Sequence, residues 1–324
     1  MSSFASMASI SKQTVKMKQG KIFISLLFTA LWLTVPVMAQ QLVVGSYNLR
    51  NKNNGDSIKG EVWSKRCQVI CDQVNFISPA ILGTQELLHV QILDMLSALD
   101  GYDYIGVARD DGATKGEYSA IFYKKDRLKL LEQGNFWLSE TPDRPGLGWD
   151  AACIRICTWG KFKDRQTKKK FYCFNLHMDH VGTVARREAA KLVVSKVQEI
   201  AKGAVVVLTG DFNVDQTDKI YGIFTHSGLL ADSYETARLR FAENGTFNSF
   251  KPQLKTTSRI DHVFVSPTVM VEAYGVLTDS YWTPLQQSAD NLKGDDAPQE
   301  ISFGEYQRRN PSDHYPVFVR MKLK

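Results

Sequence analysis

Six short segments of the sequence place polar side chains at the ends of apolar, β-rich runs. The segments are SYN, TQE, NLHMDH, GDFN, RID and SDH. Each run predicts a buried strand, and ligands of sheet proteins bind where strand ends converge. Any one of these side chains alone fits a turn or a helix cap, but their recurrence at six strand ends favours one shared site. They belong to Asn48, Glu86, His177, Asp179, His180, Asp211, Asn213, Asp261, Asp313 and His314.

The carboxylates and amides of this set would form a metal site rich in oxygen. Oxygen ligands suit Mg²⁺ or Mn²⁺ and do not suit zinc. The imidazoles of His177 and His314 then remain free to transfer a proton or to stabilise developing negative charge. A hard metal with histidine and acidic partners indicates hydrolysis at phosphorus.

Ten strand-like runs and four helical patterns must position these side chains. Some runs are joined by short turns and others by helices, which predicts two packed mixed sheets with helices outside. The longest irregular segment is 279–313, and a loop of that length in a compact domain is often functional. The predicted strands are 42–48, 80–85, 103–107, 118–124, 127–136, 152–162, 170–178, 204–210, 260–266 and 316–323, and the predicted helices are 60–77, 88–98, 183–202 and 216–224.

Residues 1–39 are predicted to be a secretory signal. A short basic segment precedes an apolar run from Ile22 to Val37, and Val37-Met38-Ala39 offers a cleavage site before Gln40. If translation begins at Met17, the start at Met1 is over-extended. The apolar run is short for a spanning helix, so we expect no stable membrane anchor. The expected mature chain is 40–324, one domain, secreted or periplasmic.

The electrostatic balance of the mature chain argues against a nucleic-acid partner. The formal net charge of +6 falls to +2 when the four lysines of the signal are removed. A nearly neutral surface gives no general attraction to a polyanion. One dense basic run, KFKDRQTKKK at 161–170, lies between two β-like runs and predicts a solvated hairpin tip.

The five cysteines are predicted to be small buried hydrophobic residues and not disulfide or metal partners. Their number is odd, their spacings do not resemble a CxxC metal motif, and a chain of this size does not need disulfides. The cysteines are Cys67, Cys71, Cys153, Cys157 and Cys173.

The six motifs, taken in order, resemble those of the endonuclease/exonuclease/phosphatase superfamily. GEYSAIFY, GWDAACIRICTW and NLHMDHVGTVAR suggest its secreted bacterial branch, and the resemblance spans roughly Gln41 to Leu323. It implies an α/β fold, a four-layer sandwich of two packed mixed β-sheets flanked by helices. It also implies a phosphoric ester hydrolase that uses Mg²⁺ or Mn²⁺, with its site at the top of two central sheets.

The resemblance implies a metal role for three residues. Glu86 would be the main metal ligand with Asn48 beside it, and Asp313 would complete the acidic rim. One departure is plain, because some nucleases of the superfamily carry an acidic residue where this chain has Arg50. The number of metal ions is therefore open.

The resemblance also assigns catalytic roles. Asp211, helped by Asn213, would position or activate the attacking water. His314 would contact the phosphoryl oxygens and be oriented by Asp261, and His177 would stabilise the transition state.

Three further residues are predicted to bind substrate. Arg186 could grip phosphate as a bidentate partner or could be a solvated arginine in the first turn of a helix. Asp179 and His180 could share in binding or brace the loop after His177. Glu117 in GEY could reach the rim of the site.

The favoured function is a secreted, metal-dependent phosphoesterase that hydrolyses a phosphate mono- or diester. A small or terminal ester, such as a sugar or inositol phosphate, is favoured over nucleic acid, and a monomer is expected. A nuclease acting on DNA or RNA and a non-catalytic binding module on the same fold are the alternatives. A two-metal metallophosphatase needs an Asp-x-His after the first strand, and none follows Tyr47.

Overall fold

A computed structural model describes residues 41–288 and 296–323, with side chains described up to residue 285 and again from 296. The predicted signal segment, 1–39, lies outside these residues. Across the described ranges, no helix combines the length and apolar character needed to cross a membrane.

The described residues form fifteen strands and six helices. The strands are β1 Leu42–Asn48, β2 Ile81–Gln85, β3 Tyr102–Ile105, β4 Ile121–Lys124, β5 Leu128–Trp137, β6 Ile156–Asp164, β7 Lys170–His177, β8 Val206–Asp211, β9 Ala231–Asp232, β10 Leu239–Phe241, β11 Asp261–Val265, β12 Met270–Val276, β13 Tyr281–Ser288, β14 Gly304–Arg309 and β15 Val317–Lys322. The helices are α1 Asn54–Ile58, α2 Trp63–Ile77, α3 His89–Ala98, α4 Thr183–Ala201, α5 Tyr221–Thr225 and α6 Ser233–Thr236.

Two large mixed sheets form the centre of the fold. The first has the order β10-β12-β15-β1-β2-β4-β3, and the second has the order β5-β6-β7-β8-β11-β9. Within each sheet one parallel pair lies near the middle, β1 with β2 and β7 with β8. Parallel neighbours end at the same edge of a sheet, so both sheets present carboxyl strand ends that carry the polar motifs.

Apolar side chains define three buried interfaces between four layers. One cluster joins the facing surfaces of the two sheets, for example Val44 and Ile81 with Phe171 and Val207. A second cluster packs α4 on the outer face of the second sheet. A third packs α2 and α3 on the outer face of the first. The predicted four-layer α/β sandwich is therefore confirmed.

The helix predicted over 60–77 is α2, which begins only at Trp63, and the short α1 lies before the predicted range, separated from α2 by a break. Gly60 has a φ of +88° at this break, a left-handed conformation that a helix interior does not contain. The other predicted helices overlap α3, α4 and α5.

The prediction that 279–313 is irregular was wrong. Its two ends form β13 and β14, which pair antiparallel in a small separate sheet. This hairpin leaves large apolar side chains in solvent, and Trp282 is 58% exposed. No alternation of apolar and polar residues marks its strands, so a burial pattern could not reveal them.

The basic run at 161–170 forms a hairpin tip, as predicted. β6 ends at Asp164 and β7 begins at Lys170. The carboxylate of Asp164 accepts hydrogen bonds from the backbone N–H groups of Gln166 and Thr167. It also pairs with Arg127 at 2.9 Å. The carboxylate of Asp164 therefore stabilises the turn and links it to the residue that precedes β5.

All five cysteines are free thiols, and four of them are buried as predicted. Cys153 is the exception, because it is only half-buried and precedes β6 instead of lying on its face.

Candidate active site

The strand ends bring the predicted site residues from both sheets to one place. Asn48 ends β1 opposite Gln85 of β2, and Glu86 follows at once. In the second sheet His177 of β7 lies opposite Asp211 of β8. Asp211 in turn lies opposite Asp261 of β11, so three strands of that sheet supply neighbouring polar groups.

Asn48 links the two sheets across the site. Its Nδ2 donates hydrogen bonds to Oε1 of Glu86 at 2.9 Å and to Oδ2 of Asp211 at 3.0 Å. Its Oδ1 accepts a hydrogen bond from the backbone N–H of Arg50. In this arrangement Asn48 bridges two carboxylates of the site, and its place beside Glu86 at a metal stays a prediction.

His314 is held between two carboxylates. Its Nδ1 lies 2.8 Å from Oδ2 of Asp261, and its Nε2 lies 3.7 Å from Oδ2 of Asp211. Burial alone would lower the pKa of His314, but these two carboxylates outweigh it and raise the pKa well above its ordinary value. The imidazole therefore carries its proton at neutral pH. The ring of Phe247 packs edge-on against it at 5.0 Å.

His177 lies in the opposite electrostatic setting. Its Nε2 accepts a hydrogen bond from Nδ2 of Asn213 at 3.1 Å and lies 3.3 Å from Oδ2 of Asp211. Burial, together with the charges of Arg155 and Arg109, lowers its pKa well below the ordinary value. The two histidines therefore differ at neutral pH, with His177 neutral and His314 charged.

The acidic groups of the site are crowded and short of positive charge. Burial and the neighbouring Asp261 raise the pKa of Asp211 to about 7. Burial and Glu86 raise the pKa of Asp313. Nη1 of Arg50 lies 3.6 Å from Asp313 and 3.9 Å from Glu86, so one guanidinium is shared between two carboxylates.

This donor set fits a hard divalent cation. One ligand atom each of Glu86, His177 and Asp211 lies within 4.8 Å of the others. Glu86 has a φ of +68°, a strained conformation for a non-glycine residue that turns its side chain at the strand end. A cation beside Glu86, Asp211 and Asp313 would offset the repulsion between neighbouring carboxylates, which contributes to the raised pKa values of Asp211 and Asp313.

A buried arginine fixes the loop that carries Asp313. Arg66 on α2 donates hydrogen bonds from Nη1 to the backbone oxygens of Leu49 and Pro311, each at 2.9 Å. The hydroxyl of Ser312 donates to the backbone oxygen of Asn48 at 2.7 Å. Arg66 thus ties the end of β1 to the segment before β15, a role that its sequence position inside a helix did not reveal.

The site opens into a cavity of about 330 Å³. Sequence reasoning did not assign a role in the site to several of its lining residues, such as Arg109, Arg155 and Phe247, because they lie in loops. The lining residues are Arg50, Asn51, Glu86, Arg109, Glu117, Cys153, Arg155, His177, His180, Asp211, Asn213, Phe247, Asp313 and His314. Glu117 lies in the GEY segment, whose predicted place at the rim agrees with this position.

Two of the three predicted substrate-binding residues do not line the cavity. Asp179 accepts hydrogen bonds from the backbone N–H groups of Cys153, Val181 and Gly182. Nη1 of Arg186 donates to the backbone oxygen of Asp179 at 3.0 Å. These contacts favour the bracing role for Asp179 and a structural role for Arg186. His180 does line the cavity.

Comparison with solved structures places this chain beside two proteins of Bacteroides thetaiotaomicron. One is an endonuclease/exonuclease/phosphatase family protein, 50% identical, with a TM-score of 0.80 over 87% of this chain and 97% of that one. The other is a mannosyl-6-phosphatase, also 50% identical, with a TM-score of 0.79 over 87% of this chain and all of that one.

A curated relative is a nuclease. The CCR4-Not complex 3'-5'-exoribonuclease subunit Ccr4 of Debaryomyces hansenii is 25% identical over 266 residues, covering 70% of this chain. The chain spans 31% to 60% of the length of the curated relatives that it matches. The model of the Endonuclease/Exonuclease/phosphatase family matches residues 45–314. This chain is therefore a member of the endonuclease/exonuclease/phosphatase family, which contains both phosphatases and nucleases.

Proposed function

We propose that this protein is a metal-dependent phosphoesterase that hydrolyses a small or terminal phosphate ester, with sugar phosphates as the favoured class. The observation that carries the proposal is the cavity itself, which combines an acidic floor with three arginines on its walls. Its volume lies at the lower end of the range for small-molecule sites, roughly 300–1,000 Å³. The mannosyl-6-phosphatase neighbour supports the sugar phosphate class.

Glu86 and Asp313, with Asp211 beside them, would hold the Mg²⁺ or Mn²⁺ ion. Such an ion, when bound, supplies charge stabilisation at the phosphoryl oxygens. Asn48 keeps the carboxylates of Glu86 and Asp211 in place through its Nδ2. This arrangement leaves His314 free for the substrate.

Asp211 is the group best placed to take a proton from the attacking water. Its Oδ2 faces Nδ2 of Asn48, Nε2 of His177 and Nε2 of His314. A carboxylate held within reach of the attacking water can accept its proton. The charged His314, fixed by Asp261, would donate a hydrogen bond to a phosphoryl oxygen.

The test is release of phosphate from a substrate panel by the purified mature protein with Mg²⁺ or Mn²⁺. Mannose 6-phosphate, glucose 6-phosphate and inositol phosphates are compared with a single-stranded oligonucleotide and supercoiled plasmid at physiological salt. We expect hydrolysis of a sugar phosphate, abolished by chelator. Nicking of plasmid without release from any small ester would overturn the choice of substrate.

A nuclease is the second candidate, and the relationship to Ccr4 is what favours it. A protein that holds a nucleic acid backbone uses many lysines and arginines along a groove, and its affinity falls steeply with salt. The basic hairpin tip at 165–169 belongs to the β6–β7 turn, whereas the site lies at the carboxyl end of β7. Degradation of the oligonucleotide in the same panel would identify this activity.

We also propose that the protein is exported after cleavage before Gln40. The basic and apolar pattern of residues 17–39 supports this proposal. Mass spectrometry of the native protein should give a mature chain that begins at or near Gln40, found in the periplasm or outside the cell. A retained Met1 or Met17 would contradict it.

A further inference from the structure

Two arginines on one wall of the cavity have no part in the chemistry proposed above. Arg109 follows β3 and Arg155 precedes β6, and both line the cavity together with His177. They also line an adjoining small recess with His177 and Glu117. The acidic residues Glu86 and Asp313 belong to the same cavity, which therefore has both an acidic and a basic wall.

Arg155 is a buried cation held in a fixed position. Its side chain is 5% exposed, and its Nε lies 3.5 Å from Oδ2 of Asp179. Its Nη2 donates to Nδ1 of His180 at 3.0 Å. Within the described residues, its Nη1 makes no hydrogen bond. A buried guanidinium with an unused donor is costly unless another partner binds it.

Arg109 repeats this arrangement. Its side chain is 16% exposed, and its Nη1 pairs with Glu117. Glu117 also accepts a hydrogen bond from Nδ2 of Asn51 at 2.8 Å. Nε of Arg109 lies 3.7 Å from Oδ1 of Asp110, and its Nη2 makes no hydrogen bond in the part of the chain that the structure describes. Each arginine is thus anchored by a carboxylate and retains a donor that the protein leaves unmatched.

We propose that Arg109 and Arg155 form a clamp for the terminal oxygens of a phosphomonoester and select it over a diester. The proposal rests on the proposed function and concerns the same cavity. A monoester phosphate has three non-bridging oxygens and a charge close to −2 near neutral pH, whereas a diester has two such oxygens and a charge of −1. The additional oxygen and charge require donors beyond the acidic wall, and guanidinium groups bind phosphate oxygens in pairs.

Kinetics on two substrates with the same leaving group test the selection. p-Nitrophenyl phosphate is the monoester, and bis(p-nitrophenyl) phosphate is the diester. Arg109→Gln and Arg155→Gln should each lower kcat/KM for the monoester at least about 30-fold, the loss expected for a hydrogen bond to a charged group. The diester should change less than about 3-fold. Equal losses on both substrates, or no loss on the monoester, would overturn the clamp.

Two further variants control for charge and folding. Arg187→Gln removes an exposed arginine on α4 that pairs only with Glu188 among the described residues, and it should leave both rates unchanged. Arg155→Lys keeps a cation near Asp179 but loses the planar fork of donors. Its melting temperature should equal that of the wild type. The ratio of its kcat/KM values for the monoester and the diester should still fall.

Binding of inorganic phosphate separates this inference from the proposed function. Calorimetric titration of phosphate into the Mg²⁺-containing protein needs no turnover. If the wild type hydrolyses neither these esters nor any sugar phosphate, the proposed function fails, but weaker phosphate binding by Arg109→Gln and Arg155→Gln would still support the clamp. If the wild type hydrolyses the monoester and the variants bind phosphate as tightly as it does, the clamp fails and the function stands.

Discussion

At the scale of single residues, Glu86 is the most exposed of the three carboxylates proposed to hold the metal ion. Its Oε1 accepts a hydrogen bond from Asn48, and its nearest cation is Arg50 at 3.9 Å. Glu86→Gln keeps the shape and the hydrogen-bond acceptor but removes the charge that a divalent ion needs. We expect calorimetric Mn²⁺ affinity to fall at least about tenfold and most activity to be lost, with an unchanged melting temperature in chelator. Unchanged Mn²⁺ affinity would contradict the assignment.

His314 and Asp261 form a second pair, in which we propose that His314 acts on the substrate and Asp261 orients it. His314→Ala removes a preorganised charged donor, so turnover should fall by about 10²–10³-fold. Asp261→Asn should cost less, because it removes the orienting charge at Nδ1 and leaves the imidazole present. Single-turnover kinetics on the best substrate measure both losses. If Asp261→Asn proved more damaging than His314→Ala, these roles would be reversed.

Asp179 makes a pH-dependent contribution to stability. Burial alone would raise its pKa, but the N–H groups of Gly182 and Val181 and the charge of Arg155 lower it to about 2. A folded-state pKa below the unfolded value of about 3.9 stabilises the fold above that pH, and this contribution is lost as pH falls towards 2. Asp179→Asn should therefore destabilise the protein in urea at pH 6, and the difference should shrink between pH 4 and pH 2. A difference independent of pH would exclude this linkage.

At the scale of elements, burial patterns explain which strands could be predicted. The continuous apolar run of β8 and the amphipathic pattern of α4 both leave a clear signal. β12 was missed because its register shifts between Val271 and Ala273. A bulge of this kind interrupts the two-residue alternation on which strand prediction depends. β13 and β14 were missed for a different reason, because they bury little surface.

The β13–β14 hairpin is attached to the rest of the protein partly by polar contacts with Glu61. Arg309 of β14 pairs with its Oε1 at 2.7 Å, and the hydroxyl of Tyr281 donates to its Oε2 at 3.5 Å. Glu61→Gln weakens both contacts and leaves the trypsin sites at Arg308 and Arg309 intact. We expect trypsin to cleave the hairpin faster in this variant, while the central sheets resist.

Glu132→Gln serves as the matched control for this experiment, because Glu132 pairs with Lys161 in an exposed ion pair far along the second sheet. It should leave the rate of hairpin cleavage unchanged. Equal cleavage rates in wild type and Glu61→Gln would show that other contacts hold the hairpin.

At the scale of the whole molecule, the sequence predicted the parts of the site that strands deliver. Glu86, Asp211 and His314 follow or precede apolar runs, so their convergence follows from sheet geometry. Arg109 and Arg155 lie in loops, and the path of a loop depends on tertiary contacts that no local pattern records. The contacts of Asn48 were also hidden, because only coordinates show which end of an amide faces a carboxylate.

The two sheets are joined below the site by a buried polar network centred on Asn175. Its Oδ1 accepts hydrogen bonds from Gln85 at 2.7 Å and Thr209 at 3.0 Å. Its Nδ2 donates to the backbone oxygens of Thr84 and Ala120. Asn175→Ala would leave several buried groups without partners, at about 1–3 kcal/mol each.

We expect the free energy of unfolding of Asn175→Ala, measured with urea, to fall by at least about 2 kcal/mol. The exposed Asn75, which donates to the backbone oxygen of Ala98, offers a matched control, and Asn75→Ala should cost far less. Similar losses for the two variants would show that the network adds little.

Gly83 in β2 faces this network with no side chain of its own. A methyl group there would lie 2.5 Å from Oδ1 of Asn175 and even nearer to the hydroxyl of Thr209. The space between the two sheets at this position therefore accommodates a hydrogen atom but not a methyl group. Asn48 and Asp211 reach each other across that same gap. A methyl group that pushed the sheets apart would therefore also lengthen the contact between these two side chains. A side chain at Gly83, two positions before the Gln85 that lies opposite Asn48, would misalign the site without touching any group proposed to act on the substrate.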